Sequence, residues 1–143
     1  LKLTNNQKLT LDILKNKRRV AISGGAGTGK TVLAVEKAKR LAQEGFKTLL
    51  TCYNRQLADH LSLTCKNVDN LEVMGFHQLC DSHIRKFNET NPDRDVLNEA
   101  KKTYPGQDEF DVQMPASLAL TADNPAFQFD AIVCDEGQDF RVD

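Results

Sequence analysis

Apolar and polar positions along the chain form two kinds of segment that follow one another. Short apolar runs, typical of buried strands, occupy residues 19–23, 47–53, 71–74 and 131–134. The stretches between them carry apolar residues at helical spacing, as Ala34, Ala38 and Leu41 do on one face of a helix. Alternation of strands with helices predicts an α/β fold with a mainly parallel sheet.

The helices are bounded by local signals. Thr4 or Asn5 is a candidate N-cap for the first helix, Gly45 ends the second, and Pro115 is suited to the first turn of the last. The predicted helices run from residue 4 or 5 to about 15, from 30 to about 44, from 56 to about 63, from 76 to 87 and from 115 to about 122. Residues 88–110 are polar, and we expect a surface excursion there.

A glycine-rich motif lies between the first predicted strand and the second helix. It fits the pattern GxxxxGK[ST], in which backbone N–H groups close around phosphate oxygens and glycines allow the close approach. Lys30 supplies charge at the β/γ-phosphates, Thr31 supplies a hydroxyl for Mg²⁺, and the positive end of the helix dipole points at the nucleotide. The predicted phosphate-binding residues are Gly24, Gly25, Ala26, Gly27, Thr28, Gly29, Lys30 and Thr31.

Two adjacent carboxylates follow the last apolar strand. Asp135 and Glu136 come directly after Ala131–Cys134, and ligands of open α/β sheets bind at the carboxyl ends of strands. The acids are therefore expected beside the glycine-rich motif. Asp135 would hold Mg²⁺ through water, and Glu136 would orient or deprotonate an attacking water molecule.

Composition and charge only partly narrow the possible classes of protein and partner. The chain has 143 residues, 40% hydrophobic and 27% charged, as in an ordinary globular domain. Its formal net charge of −1 gives no electrostatic case for a nucleic-acid partner, so local motifs must carry any such claim. Four widely spaced cysteines predict buried free thiols in a reducing compartment. No apolar stretch approaches the length of a membrane span, and the cytoplasm is the expected location.

Four ordered segments resemble the motifs of superfamily 1 helicases of the UvrD/Rep kind. Residues 135–140, Asp-Glu-Gly-Gln-Asp-Phe, resemble the DEAQDF-type motif II. Residues 3–7 are similar to the N-terminal Q-motif, residues 51–58 to motif Ia, and residues 76–79 to motif Ib. The resemblance extends from Leu3 to Phe140, and it implies a P-loop NTPase of RecA-like fold whose mostly parallel sheet is flanked by helices.

The resemblance also implies roles for individual residues. ATP and Mg²⁺ would be the ligands, with Gln7 on adenine, Thr31 and Asp135 on the metal, Lys30 and Glu136 in catalysis, and Gln138 sensing the γ-phosphate. The resemblance also implies that Glu136 lies among the residues around the metal. An aromatic ring can stack on any base and an arginine can pair with phosphate. The residues implied to face single-stranded DNA are Tyr53, Asn54, Arg55, Phe76 and His77.

The resemblance also implies that this chain is one part of a larger motor protein. Residues 1–143 would form the N-terminal part of a RecA-like ATP-binding domain that is incomplete at the C-terminus, with 88–128 a reduced insertion or surface excursion. A second RecA-like domain, absent from this chain, would add arginine fingers and half of the ATP and DNA sites. The parent would hydrolyse ATP and move along DNA, whereas this piece would bind nucleotide weakly. We expect a gap in its sheet and marginal stability.

Two other classes of function remain open. One is a P-loop switch or binding module without motor activity, although Asn16-Lys17-Arg18-Arg19 lacks the final acid of a guanine-reading NKxD motif. The other is a P-loop ATPase that acts on RNA or on a protein partner. The Gln138-Asp139 pair favours the DNA helicase by analogy alone.

Overall fold

The computed structural model describes residues 3–13, 15, 29–121 and 129–136 of the chain. Helices and strands alternate in the first part and a group of helices precedes the last strand. The elements are α1 (Asn5–Ile13), α2 (Lys30–Gln43), β1 (Thr48–Cys52), α3 (Arg55–Thr64), β2 (Leu71–Gly75), α4 (Phe76–Thr90), α5 (Val96–Thr103), a π-helical turn (Glu109–Gln113), α6 (Met114–Thr121) and β3 (Ala131–Asp135).

The described strands form one parallel sheet with β1 between β2 and β3. Cys52, the last residue of β1, is aligned with Gly75 on one side and with Asp135 on the other. All five residues of β1 are buried, as expected for a central parallel strand with helices on both faces of its sheet. The predicted α/β class with a parallel sheet is confirmed. The register brings the three carboxyl ends to one edge.

Helix α2 packs against the sheet through one apolar face. Val35 and Ala38, three residues apart, join Leu50 of β1 and Leu61 of α3 in the main core cluster, as the helical spacing predicts. The helix ends at Gln43, and Gly45 follows with φ +94°. This left-handed conformation is cheap for glycine and explains why the helix stops there.

A second core cluster joins α4, α5 and α6. It contains Ile84 and Phe87 of α4, Val96 of α5 and Met114 of α6. Helix α5 lies in the stretch where the sequence indicated only a polar excursion. Its first turn is capped by Asp95, whose side chain accepts a hydrogen bond of 3.0 Å from the backbone N–H of Asn98. The assignment of residues 88–128 as a reduced insertion stays a prediction.

The cysteines differ in their surroundings. Cys52, Cys65 and Cys80 are buried free thiols, as predicted, and burial raises the pKa of Cys80 to about 12. The prediction is wrong for Cys134, which is exposed. The reason is the alternation of β3, in which Ile132 and Cys134 are both exposed while the residues beside them are more covered. Within the described ranges, no helix has the length and apolar character needed to span a membrane.

Candidate nucleotide-binding site

The first turn of α2 meets the end of β3. The hydroxyl of Thr31 donates a hydrogen bond of 2.8 Å to Oδ2 of Asp135. Thr31 is the second residue of α2 and Asp135 is the last residue of β3, so the contact depends on both elements packing as they do. Lys30 immediately precedes Thr31. The structure therefore brings the end of the glycine-rich motif and the first of the paired acids to one place.

Both carboxylate oxygens of Asp135 accept hydrogen bonds. Oδ1 accepts from the backbone N–H of Glu136 at 3.0 Å, while Oδ2 accepts from Thr31. The side chain is buried, with 4% of the residue exposed. Two donors on one buried carboxylate fix its orientation and offset part of its desolvation cost.

Glu136 has an unusual backbone. Its φ is +54°, in the left-handed region that residues other than glycine and asparagine rarely adopt. Such strain concentrates at functional sites. It occurs here at the predicted catalytic carboxylate, where the chain leaves β3.

Cys52 lies beside the acids, although no sequence motif marks it as part of the site. Burial raises the pKa of its thiol above the ordinary value, and the negative charge of Asp135, followed by that of Glu136, raises it further. The thiol is therefore protonated at neutral pH and donates to the carbonyl of Asn54 at 3.3 Å. The parallel register would have revealed this proximity, because Cys52 and Asp135 are aligned partners.

The glycine-rich motif is described only from Gly29 onward. Gly29 has φ +81°, precedes α2 as its N-cap, and accepts a hydrogen bond of 3.2 Å from the N–H of Leu33. The N-terminus of α2 lies at the end of β3, because Thr31 contacts Asp135, and a helix N-terminus favours an anion. The predicted strand 19–23, the residues Gly24 to Thr28 and Gln138 lie outside the described residues.

Gln7, in α1, contacts the last glycine of the glycine-rich motif. Its Nε2 donates to the carbonyl oxygen of Gly29 at 3.3 Å, while its Oε1 accepts from the N–H of Thr4 at 2.9 Å. The N–H of Gln7 donates to Oγ1 of Thr4 at 3.2 Å. This reciprocal pair is a capping box, and its Thr-x-x-Gln signature is visible in the sequence. The contact with Gly29 has no such local signal.

Three predicted nucleic-acid residues form an aromatic cluster. The ring of Tyr53 lies 6.4 Å from that of Phe76, nearly parallel to it, and 5.0 Å from that of His77, edge to face. Tyr53 follows β1, and Phe76 and His77 begin α4 directly after β2. The cluster thus lies at the same edge of the sheet as the acids.

The other two predicted nucleic-acid residues begin α3. Asn54 is its N-cap, and its Oδ1 accepts a hydrogen bond of 3.1 Å from the N–H of Leu57. This gives Asn54 a local structural role. Arg55 is the first residue of the helix and is exposed. Contact of either residue with nucleic acid stays a prediction.

The oxygen donors present fit magnesium. Thr31 and Asp135 offer a hydroxyl and a carboxylate close together, and Mg²⁺ binds through one or two protein carboxylates with phosphates and water completing its coordination. In the part of the chain that the structure describes, no group of three or more His, Cys, Asp or Glu side chains is placed to hold a metal ion. The site therefore fits a metal that binds together with phosphate.

Comparison with known proteins defines the class. Residues 7–143 match the family described as the AAA domain, and the chain belongs to that family. A segment of 73 residues is 34% identical to the DNA replication ATP-dependent helicase/nuclease DNA2 of Saccharomyces cerevisiae. The similar segment is 50% of this chain and 5% of the yeast protein, so the chain spans a small fraction of that relative. No solved structure matches the chain significantly.

Proposed function

We propose that the chain is the ATP-binding portion of an ATP-dependent DNA helicase or translocase of superfamily 1, of the UvrD/Rep kind. The hydrogen bond from Thr31 to Asp135 carries the proposal, because it brings together the two residues that we assign to a magnesium–triphosphate site. Membership of the AAA domain family supports ATP as the ligand. Similarity to a protein named as an ATP-dependent helicase/nuclease supports the motor class.

Each predicted residue has a task in ATP binding and hydrolysis. The backbone of Gly24 to Gly29 would surround the phosphates, with the ammonium of Lys30 at the β/γ-phosphates. Thr31 and Asp135 would hold Mg²⁺, which neutralises phosphate charge when bound. The other proposed roles fall on three residues: water activation on Glu136, γ-phosphate sensing on Gln138 and adenine recognition on Gln7.

We infer that the sheet edge at the ends of β1 and β2 is suited to single-stranded DNA. Tyr53, Phe76 and His77 present stacked and edge-to-face rings at the ends of β1 and β2, and bases stack on aromatic side chains without regard to sequence. Because β1 lies between β2 and β3, this cluster adjoins the acids at the end of β3. Nucleotide state and DNA contact would therefore be linked through one strand end.

The proposal includes a partner for full activity. A second RecA-like domain would supply an arginine finger, whose contribution in comparable systems is about 10³-fold or more in turnover. We expect the chain by itself to bind Mg–ATP weakly and to hydrolyse it little. Robust hydrolysis that Lys30→Ala abolishes would overturn this part of the proposal.

Titration of a fluorescent ATP analogue into the chain tests nucleotide binding. We expect Lys30→Ala to weaken the affinity at least tenfold, since the charge at the phosphates is lost. Lys39→Ala is the matched control, because it removes the same charge further along α2, and it should bind like the wild type. Equal affinities for the two variants would contradict the phosphate site.

Anisotropy measurements with a labelled oligothymidine test the nucleic-acid surface. Tyr53→Ala should weaken binding about tenfold, the loss expected for one stacked base. Tyr104→Ala, which removes a half-exposed ring after α5, is the control and should have no effect. An oligouridine of equal length distinguishes the RNA-directed alternative, and binding of neither strand would favour a module without motor activity.

A further inference from the structure

The thiol of Cys52 lies next to the carboxylate that we assign to magnesium. Cys52 is the last residue of β1 and is 1% exposed. Its aligned partner on the neighbouring strand is Asp135, the last residue of β3. Aligned residues of a sheet project their side chains from the same face, and neighbouring strands are about 4.8 Å apart. The thiol and the carboxylate are therefore neighbours on one face of the sheet.

The same thiol also holds the turn that begins α3. Sγ of Cys52 donates a hydrogen bond to the carbonyl oxygen of Asn54 at 3.3 Å. This oxygen also accepts from the N–H of Ala58 at 3.0 Å, which is the hydrogen bond that an N-cap residue contributes to the start of its helix. One carbonyl group thus joins the end of β1 to the first turn of α3.

The turn held by the thiol carries the aromatic ring predicted to stack on a base. Tyr53 lies between Cys52 and Asn54 in the chain, so the hydrogen bond that joins those two residues restricts the backbone on both sides of Tyr53. The ring of Tyr53 contacts those of Phe76 and His77 at the start of α4. The position of this ring therefore depends on a turn that a neighbour of the proposed metal site restrains.

A cation at the proposed metal site would strengthen the hydrogen bond from the thiol. A thiol has one proton and is a weak donor, and the negative carboxylate of Asp135 competes with the carbonyl of Asn54 for that proton. Mg²⁺ would offset the negative charge of Asp135. Because the competition then falls, the bond from Cys52 to Asn54 becomes stronger. Binding of the ion at the end of β3 would thus tighten the first turn of α3.

We propose that Cys52 is a positioning residue that couples the Mg–ATP site to the nucleic-acid surface by holding the first turn of α3. The inference rests on the proposed function and adds to it a route by which the two ligands affect each other. The coupling is reciprocal, because a strand that orders the turn should tighten Mg–ATP by the same factor.

Two variants of Cys52 and one control isolate this hydrogen bond. Cys52→Ala removes the donor and changes the side-chain volume little. Cys52→Ser keeps a donor at nearly the same place and should rescue the coupling. Cys65→Ala is the matched control, because Cys65 is 3% exposed and caps the other end of α3. It removes a buried thiol from the same helix but leaves the first turn unchanged.

Anisotropy of a labelled oligothymidine measures the coupling when Mg²⁺ is present with and without a non-hydrolysable ATP analogue. We expect the analogue to tighten the strand about threefold in the wild type, a fraction of what one hydrogen bond contributes. Cys52→Ala should abolish this effect, whereas Cys52→Ser and Cys65→Ala should retain it. A purely structural role would weaken the strand equally with and without the analogue. That result would overturn the proposal.

Amide exchange of Ala58, followed by NMR, reports on the turn itself. In the wild type, exchange should slow several-fold when Mg²⁺ and the ATP analogue bind, because the acceptor of this N–H becomes better held. In Cys52→Ala, exchange should be faster without ligand and should not respond to it. A response in Cys52→Ala equal to that of the wild type would overturn the positioning role.

Failure of this inference and failure of the proposed function give different results. If the wild type binds neither the ATP analogue nor oligothymidine, the proposed function fails and the coupling fails with it. If the wild type binds both ligands without coupling, or if Cys52→Ala keeps the coupling, the proposed function stands and the role of Cys52 is excluded.

Discussion

Thr31 and Asp135 are 104 positions apart in the chain, and a hydrogen bond of 2.8 Å joins the hydroxyl of one to the carboxylate of the other. Because Asp135 is buried, loss of the donor leaves a carboxylate oxygen without one of its partners. We expect Thr31→Val to lower the free energy of unfolding by about 1–3 kcal/mol. Thr31→Ser, which keeps the hydroxyl, should retain most of the stability. Urea denaturation without ligand measures both.

The same variants test the metal role of the pair. Thr31→Val should weaken ATP binding in the presence of Mg²⁺ and have a much smaller effect in excess chelator, whereas Thr31→Ser should preserve the magnesium dependence. An unchanged magnesium dependence in Thr31→Val would contradict the assignment of this hydroxyl to the metal.

The fold could be predicted where a local pattern is sufficient. The end of α2 followed from Gly45, and the three described strands followed from short apolar runs, since each signal lies within or next to the element itself. Helix α5 was missed because its packing uses two buried positions, Val96 and Ala100, in an otherwise polar stretch. The exposure of Cys134 could not be read from an apolar run, because it depends on which face of β3 is covered.

The candidate site likewise has some features that the sequence predicts and others that it does not. Motif chemistry placed Thr31 and Asp135 together, because strand ends of a parallel sheet share an edge. The contact of Gln7 with Gly29 and the proximity of Cys52 to the acids depend on tertiary packing and register. The left-handed backbone of Glu136 has no sequence signal either, because glutamate rarely adopts it.

The left-handed backbone of Glu136 is expected to lower the stability of the folded chain. Glu136→Gly and Glu136→Ala both remove the carboxylate, and they differ in whether the residue tolerates φ +54°. We expect the glycine variant to be more stable than the alanine variant by about 1 kcal/mol, the cost of the left-handed region for a residue with a Cβ. Thermal and urea unfolding of the pair measure the difference. Equal stabilities, or a more stable alanine variant, would mean that the strain is absent.

Gly29 should be coupled energetically to Gln7. Gly29→Ala introduces both a Cβ at φ +81° and an overlap with Nε2 of Gln7. In a Gln7→Ala background the overlap disappears and the backbone strain of about 1–2 kcal/mol remains. We therefore expect Gly29→Ala to cost less free energy of unfolding in that background than in the wild type, as a double-mutant cycle measures.

Gly45→Ala is the control for this cycle. Gly45 also has positive φ, at +94°, but a Cβ there would meet no atom within 4 Å. Its cost should be the same with or without the Gln7 side chain. Additive effects of Gly29→Ala and Gln7→Ala would contradict the contact between the two residues.

Burial of Cys80 predicts a loss of stability at alkaline pH. Its pKa in the folded chain, about 12, is above the ordinary value of 9.0. The folded state therefore retains a proton that the unfolded chain releases. This contribution is complete below about pH 9 and is lost as the pH rises toward 12, and the difference in pKa corresponds to roughly 4 kcal/mol. Between about pH 8 and pH 11, Cys80→Ala should lose less free energy of unfolding than the wild type. Parallel pH profiles would contradict this, since the other buried thiols are present in both proteins.

Val96 tests whether the cluster of α4, α5 and α6 is energetically separate from the nucleotide site. The residue is fully buried between Phe87 and Met114, so Val96→Ala should lower the free energy of unfolding by about 2 kcal/mol through lost burial and an added cavity. The affinity for Mg–ATP should not change at temperatures where the variant is folded, because the proposed site is built from α1, α2 and β3. Leu120→Ala removes an apolar side chain from a residue of α6 that is 45% exposed, and it should change stability by less than about 0.5 kcal/mol. A folded Val96→Ala protein with weakened nucleotide binding would show that this helical cluster supports the site directly.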